Sequence, residues 1–218
     1  MTPQLISNEK KVKDLINKIE TLKKSEISRT VNNKIKEFKN FNKKSNKELF
    51  KELCFCILTA NFNAEKSIKM QEELSDCFFT DSKEELSKKL AEYGHRFPNT
   101  RAEYIVESRK VKSQLETIIQ HYSKKAIREW LVKNVKGLGY KEASHFLRNI
   151  GFDDFAIIDF HIVDILESYG LIEKPQFVSK EKYIEIEELL KKIAEHTNLT
   201  LAELDLYLWY METGKILK

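Results

Sequence analysis

The chain has 218 residues, enough for one well-buried domain or two small lobes, and six glycines and three prolines against abundant Lys, Glu, Leu and Ile point to helices. A formal charge of +4 and a pI near 8.7 are compatible with a nucleic-acid partner without requiring one. Cys54, Cys56 and Cys77 make no metal or iron–sulfur spacing, Met1-Thr2-Pro3-Gln4 lacks an apolar signal core, and no apolar run reaches membrane-spanning length, so a cytoplasmic chain with no metal or cofactor and no membrane partner is expected.

Helical periodicity then recurs with short breaks. A first helix is predicted from about Thr2 to Lys24, where Leu5, Val12, Leu15, Ile16, Ile19 and Leu22 form an apolar stripe with lysines opposite, and a second from Ser28 to Phe41. Ser45 reads as the N-cap of a helix over 46–60, whose Leu49-Phe50 and Leu53 to Leu58 positions are apolar nearly all round and predict the centre of a core. Helices near 64–78, 82–93 and 99–121 follow, with Gly94-His95-Arg96-Phe97-Pro98-Asn99 as the clearest surface loop. Ser123 opens a helix to Asn134, and beyond a turn at Gly137–Gly139 come helices near 140–150, 160–169, 179–197 and 200–212, the last stopping at Gly214. Phe155-Ala156-Ile157-Ile158 is too short to choose between an extended link and a helix end.

Two stretches carry chemistry. Val135-Lys136-Gly137-Leu138-Gly139-Tyr140-Lys141 sets two glycines one residue apart at a helix start, where successive backbone N–H groups and the helix dipole make a phosphate cradle. Lys141 lies in the first turn, where a cation is misplaced by about 0.3–1 kcal/mol, which favours the neutral amine that forms Schiff bases. Ala143, Phe146, Leu147 and Ile150 make the buried stripe of that helix, leaving Lys141, His145 and Arg148 on a basic face, with Lys136 beside the turn. Asp159 follows Lys141 by eighteen positions. A helix over 140–150 is about 15 Å long and the eight residues 151–158 span up to roughly 26 Å, so the chain can return along it and bring a carboxylate to the lysine. Taken singly, the same residues also read as a glycine-capped turn, a solvated lysine and an N-cap aspartate.

Lys-Gly-Leu-Gly-Tyr-Lys followed by Ile-Ile-Asp-Phe-His resembles the helix–hairpin–helix motif and trailing aspartate of the helix–hairpin–helix DNA glycosylase superfamily. With Glu52 to Asn63, Gly94 to Phe97 and Glu203 to Tyr210, the pattern is similar to the type 2 8-oxoguanine DNA glycosylase/AP lyases of archaea and some bacteria, from about residue 15 to the end. The resemblance implies an all-α fold of two helical lobes with the hairpin and active-site cleft between them. It implies that Lys141 attacks the deoxyribose C1′ and forms an imine, and that Asp159 supports the cationic transition state and helps activate the lysine. The target nucleotide must leave the duplex for this, and Asn61, Phe62 and Asn63 are then candidates to fill the gap and meet the unpaired base. Asn61 reads equally as the end of the buried helix. Trp209 is the candidate to stack on the base and Lys218 a candidate polar contact, with His95 and Phe97 weaker candidates; by pattern alone Trp209 reads more readily as core. Phe160 is an aromatic where sequences of the resembled family often carry polar or aliphatic residues.

A single catalytic unit is expected over 1–218, with a central lobe 46–135, a terminal lobe of 1–45 plus 140–218, and the hairpin 135–141 at the junction. The expected activity is removal of 8-oxoguanine from duplex DNA with β-lyase cleavage, by a monomer without an iron–sulfur cluster. The same mechanism on an oxidised pyrimidine, or a non-catalytic helix–hairpin–helix DNA-binding protein, are the competing readings.

Overall fold

The structure is a computed structural model that describes residues 3–41 and 44–218, with side chains described from residue 11 onward in the first helix. The predicted start at Thr2 and the side chain of Leu5 lie outside the described residues. In chain order the helices are α1 (Pro3–Lys23), α2 (Ile27–Phe41), α3 (Asn46–Thr59), α4 (Ala64–Leu74), α5 (Cys77–Thr80), α6 (Lys83–Glu92), α7 (Pro98–Ser108), α8 (Leu115–His121), α9 (Lys124–Asn134), α10 (Tyr140–Asn149), α11 (Phe160–Ser168), α12 (Lys180–His196) and α13 (Leu201–Thr213). No strand occurs among the described residues, and the all-α expectation holds. Two predicted helices are broken. The stretch 64–78 ends at Leu74 with α5 as a separate turn, and 99–121 is interrupted by a 3-10 segment, Arg109–Gln114. That break opens at Arg109, whose guanidinium donates to the Phe78, Cys77 and Asp81 carbonyls at the end of α5. None of the helices is long and apolar enough to cross a membrane.

The chain divides into two compact units, residues 40–150 and residues up to 39 with 151–218. In the first, α3 is the axis: from Leu49 to Thr59 every residue but Lys51 is buried. Fully buried Phe50, Phe55, Phe78 and Phe146 each contribute about 1.5–3 kcal/mol relative to exposure. Buried Glu52 accepts from Asn149 Nδ2 at 2.6 Å and Gln71 Nε2 at 3.0 Å, tying α3 to α10 and α4. The sequence reading grouped 140–150 with the terminal helices and set the hairpin at a junction. Instead α10 and the hairpin belong to the 40–150 unit, because α10 packs on α3 and α9.

In the second unit α13 packs on α11, α12 and α1, and its Ala202, Leu206 and Tyr207 close a cluster with Val31, Ile35 and Phe38 of α2. Gly214 ends α13 in the left-handed conformation (φ 69°), and Ile216 returns the tail onto that cluster. At Gly151 (φ 102°) a Cβ would stand 2.9 Å from the Phe38 carbonyl oxygen, so the chain passes α2 there only as glycine. The ambiguous segment before α11 is a buried extended link. Tyr183 Oη donates to the Ala156 carbonyl at 2.7 Å and accepts from the Ile158 N–H at 3.3 Å, while Glu187 accepts from the Ala156 N–H at 3.1 Å. Side chains of α12 thus supply the hydrogen bonds that a neighbouring strand would otherwise provide.

Candidate functional site

The hairpin between α9 and α10 is built on Gly137. Its φ is 85°, and a Cβ there would come within 2.1 Å of the Tyr104 ring, so both backbone sign and space demand glycine. Buried Leu138 anchors the turn, its N–H bonded to the Val135 carbonyl at 3.2 Å. Gly139 is the N-cap of α10 with an ordinary φ of −90°, and a Cβ there would meet only Glu142 Oε2, at 3.5 Å. Gly137 and Gly139 are both exposed. Gly137 therefore makes the turn, and Gly139 leaves the first amides of the helix uncovered.

Lys141 is the second residue of α10, partly exposed, with its amine 3.6 Å from Glu142 Oε1. Lys136 is exposed but occupied: its amine lies 2.6 Å from Glu103 and 2.7 Å from Glu107 of α7. The Glu103 hydrogen bond, then that of Glu107, raises its proton affinity above the ordinary lysine value. Glu103 also pairs with Lys83 at 3.0 Å, and its carboxyl is held down to about 2, mainly by Lys136. The expected basic face is not found. His145 and Arg148 are buried, and the His145 ring stands edge-on to Phe55, centroids 5.7 Å apart. The reason is that α10 is buried continuously from Ala143 to Asn149, so its polar residues are interior and His145 offers no surface to a phosphate.

The loop Ala60–Asn63 joins α3 to α4. Asn61 is exposed in the left-handed conformation (φ 55°), which asparagine tolerates better than most residues. Asn63 caps α4, its Oδ1 accepting the Lys66 N–H at 2.9 Å. Phe62 stacks on His95, centroids 4.1 Å apart and planes 25° apart. His95 is 5% exposed and supports the Phe62 ring from beneath, while Arg96 and Phe97 beside it are exposed.

In the other unit the pinned link delivers Asp159 as the N-cap of α11, Oδ1 accepting the Ile162 N–H at 3.0 Å. Phe160 follows with 63% of its surface exposed, its ring tilted 37° against that of His161 with centroids 3.9 Å apart. His161 meets Trp209 edge to face at 4.7 Å, and the buried indole N–H of Trp209 has no hydrogen-bond partner among the described residues. Lys218 is partly buried at the end of the tail that Ile216 anchors. Tyr104, Arg101, Tyr183 and Glu187 carry these arrangements, yet each sits at ordinary helical spacing and gives no sequence signal of its own. Among the described residues no group of three or more His, Cys, Asp or Glu is placed to hold a metal ion.

A glycine hairpin with open amides, running directly into a helix that carries a lysine in its first turn, within an all-helical chain, is the helix–hairpin–helix arrangement of DNA glycosylases. The model of the family described as 8-oxoguanine DNA glycosylase matches residues 31–199. A relative from Korarchaeum cryptofilum named 8-oxoguanine DNA glycosylase/AP lyase is 54% identical, over 95% of this chain and 99% of its own. The crystal structure of the Methanocaldococcus jannaschii 8-oxoguanine glycosylase/lyase in complex with a 15mer DNA containing 8-oxoguanine superposes with a TM-score of 0.91 at 55% identity, covering 94% of this chain and 99% of that one. That of the Thermotoga maritima 8-oxoguanine DNA glycosylase gives 0.89 at 42% identity, over 95% and 100%. The chain belongs to the 8-oxoguanine DNA glycosylase family.

Proposed function

We propose that this chain removes 8-oxoguanine from duplex DNA and then cleaves the strand at the abasic site as a β-lyase. The observation that carries the reading is Lys141 on the hairpin helix, at the motif position of a family whose members are named glycosylase/AP lyases at 55% identity over 94% of the chain. The amides opened by Gly137 and Gly139 hold a phosphate, and the lesion nucleotide leaves the stack because C1′ is otherwise out of reach. The Lys141 amine attacks C1′ as the bond to N9 of the base breaks, and Asp159 supports the positive charge that develops on the sugar. Loss of a proton from nitrogen and opening of the sugar ring give the imine. Removal of a proton from C2′ then expels the 3′ phosphate, which nicks the strand.

Asn61, Phe62 and Asn63 face the base left without a partner, Trp209 stacks on the extruded purine and Lys218 makes a polar contact to it. The enzyme acts as a monomer. Borohydride trapping on duplexes carrying 8-oxoguanine, an oxidised pyrimidine or guanine tests the reading. A covalent adduct with the 8-oxoguanine duplex alone is expected. An adduct only with the pyrimidine lesion keeps the lysine and overturns the substrate, and no adduct despite binding overturns the enzyme.

A further inference from the structure

Among the described residues four helices carry glutamate as their third residue, and in three of them it is spent on the helix end. Glu48 Oε2 accepts the Ser45 N–H at 3.3 Å, Glu85 Oε2 the Ser82 N–H at 2.8 Å and Glu203 Oε2 the Thr200 N–H at 2.7 Å, each joined by the cap hydroxyl. The fourth is Glu142 of α10. Its N-cap is Gly139, which has no hydroxyl, and the Glu142 carboxylate accepts no hydrogen bond among the described residues.

The released carboxylate lies beside the lysine instead. Its Oε2 would stand 3.5 Å from a Cβ on Gly139, and its Oε1 is 3.6 Å from the Lys141 amine. Adjacent helical residues point about 100° apart and do not ordinarily meet. These two converge by leaning back over the bare glycine. Their side chains are only 22% and 16% exposed, against 66% and 45% for a solvated pair such as Lys69 and Glu73. From α7, buried Arg101 also feels this carboxylate: burial, the largest influence, lowers its proton affinity, and Glu142, after Tyr104, opposes that. The charges that α3 and α9 turn toward α10, Glu52, Arg128 and Glu129, engage Asn149, Ser144 and Tyr140. Lys141 and Arg101 are thus the charges that face Glu142.

An ammonium has no free electron pair, so Lys141 must lose a proton before it attacks carbon. An acceptor has to stand within reach of that proton, and such contacts are often long in the free enzyme and shorten in the complex. We propose that Glu142 is a further catalytic residue, the base that takes the proton from Lys141 Nζ ahead of attack on C1′. This rests on the glycosylase reading above, and leaves Asp159 its role at the sugar. The transfer turns carboxylate and ammonium into carboxylic acid and neutral amine. The amine pair then forms the bond to C1′ as the pair of the C1′–N9 bond leaves with the base. Glu142 returns its proton to solvent, and the departing base takes one up there.

The pair before and after transfer holds the same number of protons, so the route through Glu142 is level across neutral pH. Without the carboxylate the proton must first go to solvent, and the rate should rise about tenfold per pH unit. The test is single-turnover excision of 8-oxoguanine from saturated duplex between about pH 6 and 9, with borohydride trapping alongside. Glu142→Gln should lower excision about a hundredfold near pH 7, with the loss shrinking about tenfold per unit as pH rises and duplex affinity within about threefold of wild type. Glu142→Asp, which keeps the carboxylate on a shorter stem, should give an intermediate rate with a level profile. A folded Glu142→Gln variant with the wild-type rate overturns the assignment, as does a loss equal at every pH, which a merely structural role would give. So does a tenfold slope in Glu142→Asp or in the wild type. A wild type that forms no adduct overturns the glycosylase reading and this inference with it; one that traps while Glu142→Gln excises normally overturns this inference alone.

Discussion

Two short non-helical segments each deliver one candidate reactive side chain to the start of a helix, and they do so by opposite means. The hairpin before α10 is exposed and makes its turn with backbone freedom alone, through Gly137. The link before α11 is buried and extended, and its polar backbone is satisfied by Tyr183 and Glu187 of α12. A segment that turns by glycine carries its instructions in its own sequence. A segment held by borrowed side chains carries them elsewhere, some 25 to 31 residues away.

The largest expected effect separates chemistry from binding at the hairpin. Lys141→Gln should lower excision by about four orders of magnitude or more and remove the trapped adduct, with duplex affinity in a gel-shift assay within about threefold of wild type. Surviving excision would place the nucleophile elsewhere.

At the link the two roles of Asp159 can be split, because asparagine caps a helix as well as aspartate does but carries no charge. Asp159→Asn should slow excision by about two to three orders of magnitude, with a change in unfolding free energy below about 0.5 kcal/mol, whereas Asp159→Ala should also cost about 0.5–2 kcal/mol of stability. A large fall in melting temperature for the asparagine variant would make the cap the main role.

The supports should then respond unequally. Tyr183→Phe orphans the Ala156 carbonyl and the Ile158 N–H, and should cost about 1–3 kcal/mol in denaturant unfolding. Gly137→Ala should cost a similar amount, about 1–3 kcal/mol, through its positive φ and the Tyr104 ring. Gly139→Ala meets neither obstacle and should change stability by only about 0.5 kcal/mol, and under the proposed phosphate contact it should weaken binding to all duplex sequences alike. If the two glycine variants proved equally unstable, the division of labour drawn between them would be wrong.

The same contrast explains what could be read in advance. The hairpin, the cap at Asp159, the buried α3 and the stop at Gly214 are local patterns and were legible. His145 and Arg148 were misplaced because a helical wheel sorts residues by polarity, and α10 is buried along polar and apolar sides together. The link at 155–158 was unreadable because its partners lie in α12. The bonds that His95 and Arg101 donate to the Leu58 and Ala60 carbonyls at the end of α3 were hidden for the same reason, because a carbonyl has no letter in the sequence.

The clasp of Lys136 with Glu103 and Glu107 bears on how binding responds to salt. Binding to DNA draws much of its free energy from ions set free when protein cations replace those condensed on the duplex. A lysine already matched by two carboxylates must first give them up, and they in turn recruit ions from solution. Lys136 should therefore add little to the net release, and if this hairpin binds DNA as proposed, its affinity should fall less steeply with rising ionic strength than a tally of its lysines suggests.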